Sequence, residues 1–203
     1  GGREHALGVG LQADPACTEL HAAPGNPGIA QFAKCHPLAI TDNAAIVELA
    51  QQLKVDLVVI GPEVPLVNGA ADALRAANIA VFGPSKAAAQ LEGSKNFAKE
   101  VMRDAGVPTA QSFTCTNKEE IEIALDAFGA LYVVKDDGLA AGKGVVVAMT
   151  LTEAHDAVDM MLSDNRFGDA GARVVAQAVD GRVVEGDHGD IAAQFVLGAH
   201  GVS

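Results

Sequence analysis

The chain has 203 residues, with 14 lysines and arginines against 26 aspartates and glutamates, for a formal net charge of −12. Nucleic-acid binding needs clustered cations to replace phosphate counterions, so this composition argues against such a partner. No apolar run reaches the ~18 residues of a membrane span. The three cysteines form no CxxC pair and the six histidines show no ligand spacing. We therefore expect a cytoplasmic protein without a metal site of its own.

In the first half of the chain, helical and extended patterns alternate. The first predicted element is the end of a helix, over residues 6–13. It is followed by a strand at 19–23, a helix at 43–53 capped by Asp42 or Asn43, a strand at 57–60, a helix at 68–77 and a strand at 79–82. The continuous apolar run at 57–60 is typical of a parallel strand covered on both faces. This alternation predicts an α/β fold.

Composition changes near residues 100–108, where we place a domain boundary. Residues 85–106 are predicted to be mostly helical, with a break near Gly93-Ser94. The elements predicted after the boundary are a β-prone stretch at 109–116, an acidic helix at 117–128, strands at 131–135 and 144–149, a helix at 151–162 capped by Thr152 and a strand at 173–176.

The clearest candidate site is the loop from Lys135 to Gly144, which joins two predicted strands. Its three glycines let backbone N–H groups approach an anion, while Lys135 and Lys143 add positive charge. It is not a P-loop, since it leads into a strand and Val145 follows Gly144. The residues fit a polyphosphate-binding loop, and equally a glycine-rich hairpin with two solvated lysines.

Other segments carry weaker signals. Gly1-Gly2-Arg3 precedes a predicted helix, and is either an anion site or a simple turn. Glu63 follows a predicted parallel strand, and either contacts a ribose hydroxyl or an amine or is a rim carboxylate in a rigid turn. The segment 24–28 by itself indicates a turn. Ser94 and Lys95 fit a helix N-cap followed by a solvated basic face.

Taken together, these segments resemble the phosphoribosylamine–glycine ligase family, the ATP-grasp glycinamide ribonucleotide synthetases of purine biosynthesis. The resemblance runs from Gly1 to about Val175, and none is found over 182–203. It rests on segments in the family's order: GGREHA at 1–6, APGNPG at 23–28, GPEVPLVNG at 61–69, FGP at 82–84, AAQLEGSK at 88–95, VPTA at 107–110 and the loop at 135–147.

The resemblance implies a Rossmann-like N-terminal domain over 1–100, part of an ATP-grasp domain over 101–180 and an unmatched tail over 181–203. The family's first strand and the C-terminal half of its ATP-grasp domain are missing, so we expect an incomplete piece that does not complete the reaction alone. The implied reaction joins glycine to 5-phosphoribosylamine through glycyl phosphate, giving glycinamide ribonucleotide, ADP and phosphate. The implied cofactors are ATP and Mg²⁺, with the Mg²⁺ ligands expected in the missing part.

The resemblance also implies site residues, none of them catalytic, because this chemistry depends on neutralising phosphate charge rather than on a general base. The implied ATP-binding residues are Lys95, Lys135, Gly138, Leu139, Ala140, Ala141, Gly142, Lys143 and Gly144. The residues implied to face phosphoribosylamine are Gly2, Arg3, Asn26 and Glu63. The family usually has alanine where this chain has Asp136.

Three other function classes explain parts of the sequence. A non-catalytic module that binds a nucleotide or sugar phosphate fits a chain without metal carboxylates. A nicotinamide-dependent oxidoreductase needs G-x-G-x-x-G, which Gly1-Gly2 does not provide, although Glu19 falls at a suitable distance for the acidic residue. A structural scaffold leaves the Lys135 loop without a role. The predicted partners are small molecules rather than nucleic acids or membranes, and the oligomeric state is not predicted.

Overall fold

The computed structural model describes residues 1–128, 131–139, 144–163 and 173–178. The chain forms two compact units, Gly1–Gly93 and a second unit that begins at Ser94. The sequence-based domain limits at residues 100 and 180 stay predictions, because compact units of one chain need not coincide with family domains. The predicted tail over 181–203 lies outside the described residues.

The first unit alternates helices with very short parallel strands. Its elements are α1 (Gly2–Gln12), β1 (His21–Ala22), a 3-10 turn (Ile29–Gln31), β2 (Lys34–Cys35), α2 (Asn43–Leu53), β3 (Val58–Val59), α3 (Glu63–Asn68), α4 (Ala70–Ala76), β4 (Val81–Phe82) and α5 (Lys86–Gly93). Strand β1 pairs in parallel with β2, and β3 pairs in parallel with β4. The predicted α/β class is therefore confirmed.

Two helix boundaries in the first unit, at Asp42 and at Gly69, can be compared with the predictions from the sequence. The Asp42 carboxylate accepts a hydrogen bond from the Ala45 N–H at 3.0 Å, so the predicted N-cap of α2 is confirmed. The helix predicted over 68–77 is confirmed as α4, which begins at Ala70, but the helix α3 that precedes it was not predicted. Gly69 adopts a φ of +95°, which glycine tolerates, and this residue ends α3 and starts α4.

An apolar cavity of about 450 Å³ lies inside the first unit. Its walls include Ala22 of β1, Val58 of β3, Leu7 of α1 and Leu49 of α2. The two strand pairs are therefore separate two-stranded sheets on the wall of one cavity, rather than one continuous sheet.

The second unit is built on an antiparallel sheet. Its described elements are α6 (Lys95–Asp104), β5 (Ser112–Cys115), α7 (Lys118–Phe128), β6 (Tyr132–Asp136), β7 (Val145–Ala148), α8 (Leu151–Ser163) and β8 (Val174–Ala178). The strand order is β5-β8-β6-β7, and every pairing is antiparallel. One face of the sheet carries Tyr132, Val134 and Ala176, which form the main core with α7 and α8. The opposite face carries Lys135 and Gln177, because side chains alternate along a strand.

Side-chain caps mark the N-termini of two helices in this unit, α6 and α8. Ser94 caps α6 as predicted, since its Oγ accepts a hydrogen bond from the Phe97 N–H at 3.1 Å. The predicted cap of α8 is wrong by two residues: the Glu153 N–H donates to Thr150 Oγ1 at 3.2 Å. The Glu153 carboxylate accepts in return from the Thr150 N–H at 3.3 Å, which completes a capping box, and also from the Met149 N–H at 2.8 Å. Thr152 lies inside the helix.

The described part of the chain also bears on the expectations about membrane spans, cysteine pairing and metal binding. None of its helices combines the length and apolarity that a membrane span requires. All three cysteines lie in it and are free thiols, and burial raises the pKa of Cys115 to about 11. No group of three or more His, Cys, Asp or Glu side chains there is arranged to hold a metal ion.

We expect Asp42→Ala to lower the free energy of unfolding of the first unit by about 1 kcal/mol, because the Ala45 N–H loses its acceptor. Urea unfolding followed by circular dichroism measures this loss. Asp42→Asn keeps an acceptor at the same position and should retain most of the stability. Equal losses in the two variants would contradict the capping role.

Candidate functional site

Strands β6 and β8 bring Lys135 and Gln177 together on the sheet face opposite the main core. Lys135 is half-buried, and its ammonium donates a hydrogen bond to Gln177 Oε1 at 2.8 Å. Burial, together with repulsion from Lys99 and Lys95, lowers the pKa of Lys135 to about 8. Lys135 is therefore a cation held in an environment that disfavours its charge.

Helix α6 supplies the other two lysines of this cluster. The Lys95 ammonium donates to the Gly138 carbonyl at 2.9 Å, which ties the helix to the start of the glycine-rich loop. The Lys99 ammonium donates to Thr109 Oγ1 at 2.6 Å and to the Ala110 carbonyl at 2.8 Å. Burial lowers the pKa of both lysines. Lys95, Lys99 and Lys135 therefore concentrate positive charge beside the loop.

A buried carboxylate, Asp137, fixes the position of this loop. Its Oδ1 accepts from the Asn96 N–H at 2.7 Å, and the Ser94 hydroxyl donates to it at 3.2 Å. Its Oδ2 lies 3.3 Å from Arg173 Nη2, and its own N–H donates to the Arg173 carbonyl at 3.0 Å. Asp137 thereby joins the N-terminus of α6 to the segment that precedes β8. The helix dipole of α6 also stabilises a negative charge at this N-terminus.

The neighbouring carboxylate, Asp136, has a different environment. It is fully buried, and neither of its carboxylate oxygens has a hydrogen bond of normal geometry. Alternation along β6 places it on the core face with Tyr132 and Val134. Burial raises the pKa of Asp136, although the nearby Lys95 ammonium acts in the opposite direction. Asp136 is therefore a cost to folding in its charged form.

The loop itself is described at its two ends. The Asp136 N–H donates to the Gly144 carbonyl at 2.8 Å, and Lys135 pairs with Val145, so the predicted strand–loop–strand arrangement is confirmed. Gly138 and Leu139 follow the strand, and Leu139 is exposed. The predicted ATP-binding residues Ala140, Ala141, Gly142 and Lys143 lie outside the described residues.

In the first unit, the predicted substrate residues gather at the N-terminus of α1. Gly2 is the first residue of this helix. Arg3 Nη1 donates to the Gly61 carbonyl at 3.1 Å and forms an ion pair with Glu63 Oε1 at 2.6 Å. The hydrogen bond from Arg3 lowers the pKa of Glu63. Both side chains remain partly exposed, so the pair is open to a ligand.

The turn that contains Asn26 contacts the same helix. Asn26 Oδ1 accepts hydrogen bonds from the Gly28 N–H at 2.9 Å and the Ile29 N–H at 3.0 Å. A Cβ on Gly28 would lie 2.7 Å from His5 Nδ1, so a larger residue at this position would require the His5 ring of α1 to shift. The N-terminal turn of α1 thus lies close to the loop that contains Asn26 and to the loop that leads to Glu63.

Sequence reasoning missed the residues that order the lysine cluster. Asp137, Asn96 and Gln177 were not candidates, because their partners lie 41 to 43 residues away in the chain. Gln177 carried one usable signal, since it is a polar residue in an otherwise apolar strand. Asp137 offered none apart from its place after a predicted strand.

Comparisons with known proteins match almost the whole chain. Residues 1–92 match the N domain model of phosphoribosylglycinamide synthetase, and residues 93–190 match its ATP-grasp (A) domain model. The second match extends past Val175, where the resemblance found from motifs ends.

Individual relatives agree with these models. The phosphoribosylamine–glycine ligase of Streptomyces coelicolor is 63% identical over 147 residues, or 72% of this chain and 35% of the relative. That of Xylella fastidiosa strain Temecula1 is 49% identical over 197 residues, or 93% of this chain and 46% of the relative. The crystal structure of the Thermotoga maritima enzyme matches with a TM-score of 0.69 and 29% identity, covering 88% of this chain and 42% of that one. The chain thus spans less than half the length of these relatives.

We expect Asp136→Ala to raise the free energy of unfolding at neutral pH by about 1–3 kcal/mol, because a buried carboxylate without hydrogen bonds is removed. The raised pKa means that the folded state holds the proton more tightly than the unfolded state. The gain should therefore shrink as pH falls toward 3.8, the ordinary aspartate value. Urea midpoints across this pH range measure it.

The adjacent Asp137→Ala is the matched control. It removes a carboxylate that has hydrogen bonds to Ser94 and Asn96, so it should destabilise the chain. Losses of equal size at both positions would contradict the distinction between the two carboxylates.

Proposed function

Because the chain belongs to the phosphoribosylglycinamide synthetase family, we propose that it provides the nucleotide and sugar-phosphate sites of an ATP-dependent phosphoribosylamine–glycine ligase. In this reaction glycine and 5-phosphoribosylamine form glycinamide ribonucleotide, while ATP becomes ADP and phosphate. ATP supplies the phosphoryl group that activates the glycine carboxylate. The contributions of this chain are binding, orientation and neutralisation of charge.

The convergence of Lys95, Lys99 and Lys135 beside the glycine-rich loop is the observation that carries the nucleotide site. Burial and mutual repulsion disfavour the charge of Lys135 in the absence of a ligand. A polyphosphate brings negative charge to this position, which favours the charged form of Lys135 and offsets the burial and repulsion. The backbone N–H groups of the loop, from Gly138 to Gly144, would add donors to the phosphate oxygens. We assign Leu139, Ala140, Ala141, Gly142 and Lys143 to the same site.

The N-terminus of α1 is the proposed site for 5-phosphoribosylamine. The Arg3 guanidinium presents a fork of donors suited to a phosphate, and the Gly2 N–H belongs to the free N-terminus of the helix. The Glu63 carboxylate is suited to an amine or a ribose hydroxyl. Asn26 holds the facing turn through its own backbone hydrogen bonds. A bound substrate would compete with the exposed Arg3–Glu63 ion pair, which is itself worth little.

We also propose that the complete enzyme uses Mg²⁺ and acts in the cytoplasm. No Mg²⁺ ligand is assigned here, because the described residues hold no cluster of three or more suitable side chains. A second candidate function is a module that binds a nucleotide or sugar phosphate without catalysis, for which the cluster of Lys95, Lys99 and Lys135 would be sufficient. Product formation from ATP, glycine and 5-phosphoribosylamine separates the two functions.

Calorimetric titration of the chain with Mg-ATP tests the nucleotide site. We expect Lys135→Met to weaken binding at least tenfold, because one charge-assisted hydrogen bond contributes about 1.5–3 kcal/mol. The control is Lys118→Met, since Lys118 is an exposed lysine of the same unit, paired with Asp159. Absence of binding by the unmodified chain, or equal binding by both variants, would contradict the proposed site.

The pKa of Lys135, about 8, predicts how nucleotide affinity depends on pH. Below this value the ammonium is charged and affinity is at its maximum; above it the ammonium loses its proton and affinity falls. The same titration repeated on either side of pH 8 measures the fall. Lys135→Arg keeps its charge at every pH used, so its affinity should be nearly constant. A fall of the same size in this variant would assign the pH dependence to another group.

A further inference from the structure

Asp136 is a buried carboxylate to which the proposed nucleotide site assigns no role. It is the last residue of β6, and its N–H donates to the Gly144 carbonyl at 2.8 Å, where the glycine-rich loop closes. Its side chain is 0% exposed, and neither carboxylate oxygen has a hydrogen-bond partner among the residues that the structure describes. A charge at this position is therefore shielded from water and unpaired, and it lies next to the loop that would hold the phosphates.

Asp136 interacts electrostatically with Lys95 of α6 and with its neighbour Asp137. Burial raises the pKa of Asp136, whereas the Lys95 ammonium acts in the opposite direction. Burial likewise lowers the pKa of Lys95, and the Asp136 carboxylate opposes this more strongly than Asp137 does. The Lys95 ammonium nevertheless donates its hydrogen bond to the Gly138 carbonyl, at 2.9 Å, and forms none with Asp136. The two groups thus attract each other without forming a direct pair.

The burial of Asp136 determines how far its charge acts. Water and salt weaken the interactions of exposed charges, whereas a buried charge is screened much less. Although it lies on the core face of the sheet, the charged Asp136 carboxylate therefore attracts the Lys95 ammonium and repels an anion bound beside that ammonium. The repulsion grows with the net charge of the ligand, because the Coulomb energy is proportional to that charge.

We propose that Asp136 sets the charge selectivity of the nucleotide site: its buried carboxylate disfavours a ligand in proportion to the ligand's net negative charge. A nucleotide whose phosphates chelate a divalent cation is then favoured over the same nucleotide without the cation. This inference rests on the proposed nucleotide site and adds a specificity-determining residue to it. The carboxylate acts through space, because the Gly138 carbonyl and not Asp136 holds the Lys95 ammonium in position.

The test is Asp136→Asn in the full chain, titrated calorimetrically with ATP at neutral pH, once with excess Mg²⁺ and once with a chelator in its place. Mg²⁺ lowers the net negative charge of the nucleotide and leaves its base, sugar and phosphates unchanged. We expect the variant to bind Mg-ATP about threefold more tightly than the unmodified chain does, and metal-free ATP about tenfold more tightly.

NMR of isotope-labelled lysine side chains provides a second measurement, with Lys95→Met to assign the signal. The pKa of Lys95 should fall in Asp136→Asn, because the carboxylate that favours its charge is removed. A role of Asp136 in packing alone would not produce this fall.

Asp156→Asn is the matched control, since it removes an exposed carboxylate from α8 of the same unit. Because water and salt screen this charge, both affinities should change by less than about twofold. Asp136→Ala also removes the buried charge, and it should show the same gains where the amide of Asp136→Asn impairs folding.

Equal gains for Mg-ATP and metal-free ATP in the Asp136 variants, or no gain in either, would overturn the proposal. An unchanged pKa of Lys95 would overturn it as well. Failure of the proposed function is recognised separately, because the unmodified chain would then not bind Mg-ATP.

Discussion

The proposed nucleotide site depends on one buried carboxylate, Asp137, which lies between two elements distant in sequence. Asp137 accepts hydrogen bonds from the start of α6 and contacts Arg173, so the strand that carries Lys135 and the helix that carries Lys95 are held in one arrangement. A buried carboxylate is costly unless it is satisfied, and each of these partners offsets that cost. The hydrogen bond from Lys95 to the Gly138 carbonyl is a second link between the helix and the start of the loop.

This arrangement lowers stability, and at the proposed site it would raise the affinity for an anion. Three half-buried or partly exposed lysines repel one another, and burial lowers the pKa of each of them. Such a cluster weakens the isolated fold, but a polyphosphate bound at the proposed site would meet cations that are poorly hydrated and already oriented. The hydrogen bonds from Lys95 to Gly138 and from Lys99 to Ala110 hold two of the ammonium groups with neutral carbonyls. Gln177 holds the third in the same manner.

The sequence predicted what depends on local chemistry. Apolar runs and amphipathic stretches predicted the alternation of elements, and side-chain caps at Asp42 and Ser94 predicted where two helices begin. Helix α3 was not predicted, because its six residues include Pro65 and are too few to show a helical period. The partners of Asp137 and Gln177 could not be predicted, since these contacts join residues about 40 positions apart. The first depends on the position of α6 and the second on the register of β6 with β8.

Polar side chains lie on both faces of the sheet in β6 and β8, and their surroundings differ. Asp136 places a carboxylate on the core face, where burial disfavours its charge. Lys135 and Gln177 lie on the opposite face, where the Gln177 amide oxygen accepts a hydrogen bond from the Lys135 ammonium. Since neighbouring positions on a strand face different environments, the effect of adding or removing a charge in β6 or β8 depends on the face that carries it. A charge on one face is buried in the main core, and a charge on the other lies beside the proposed nucleotide site.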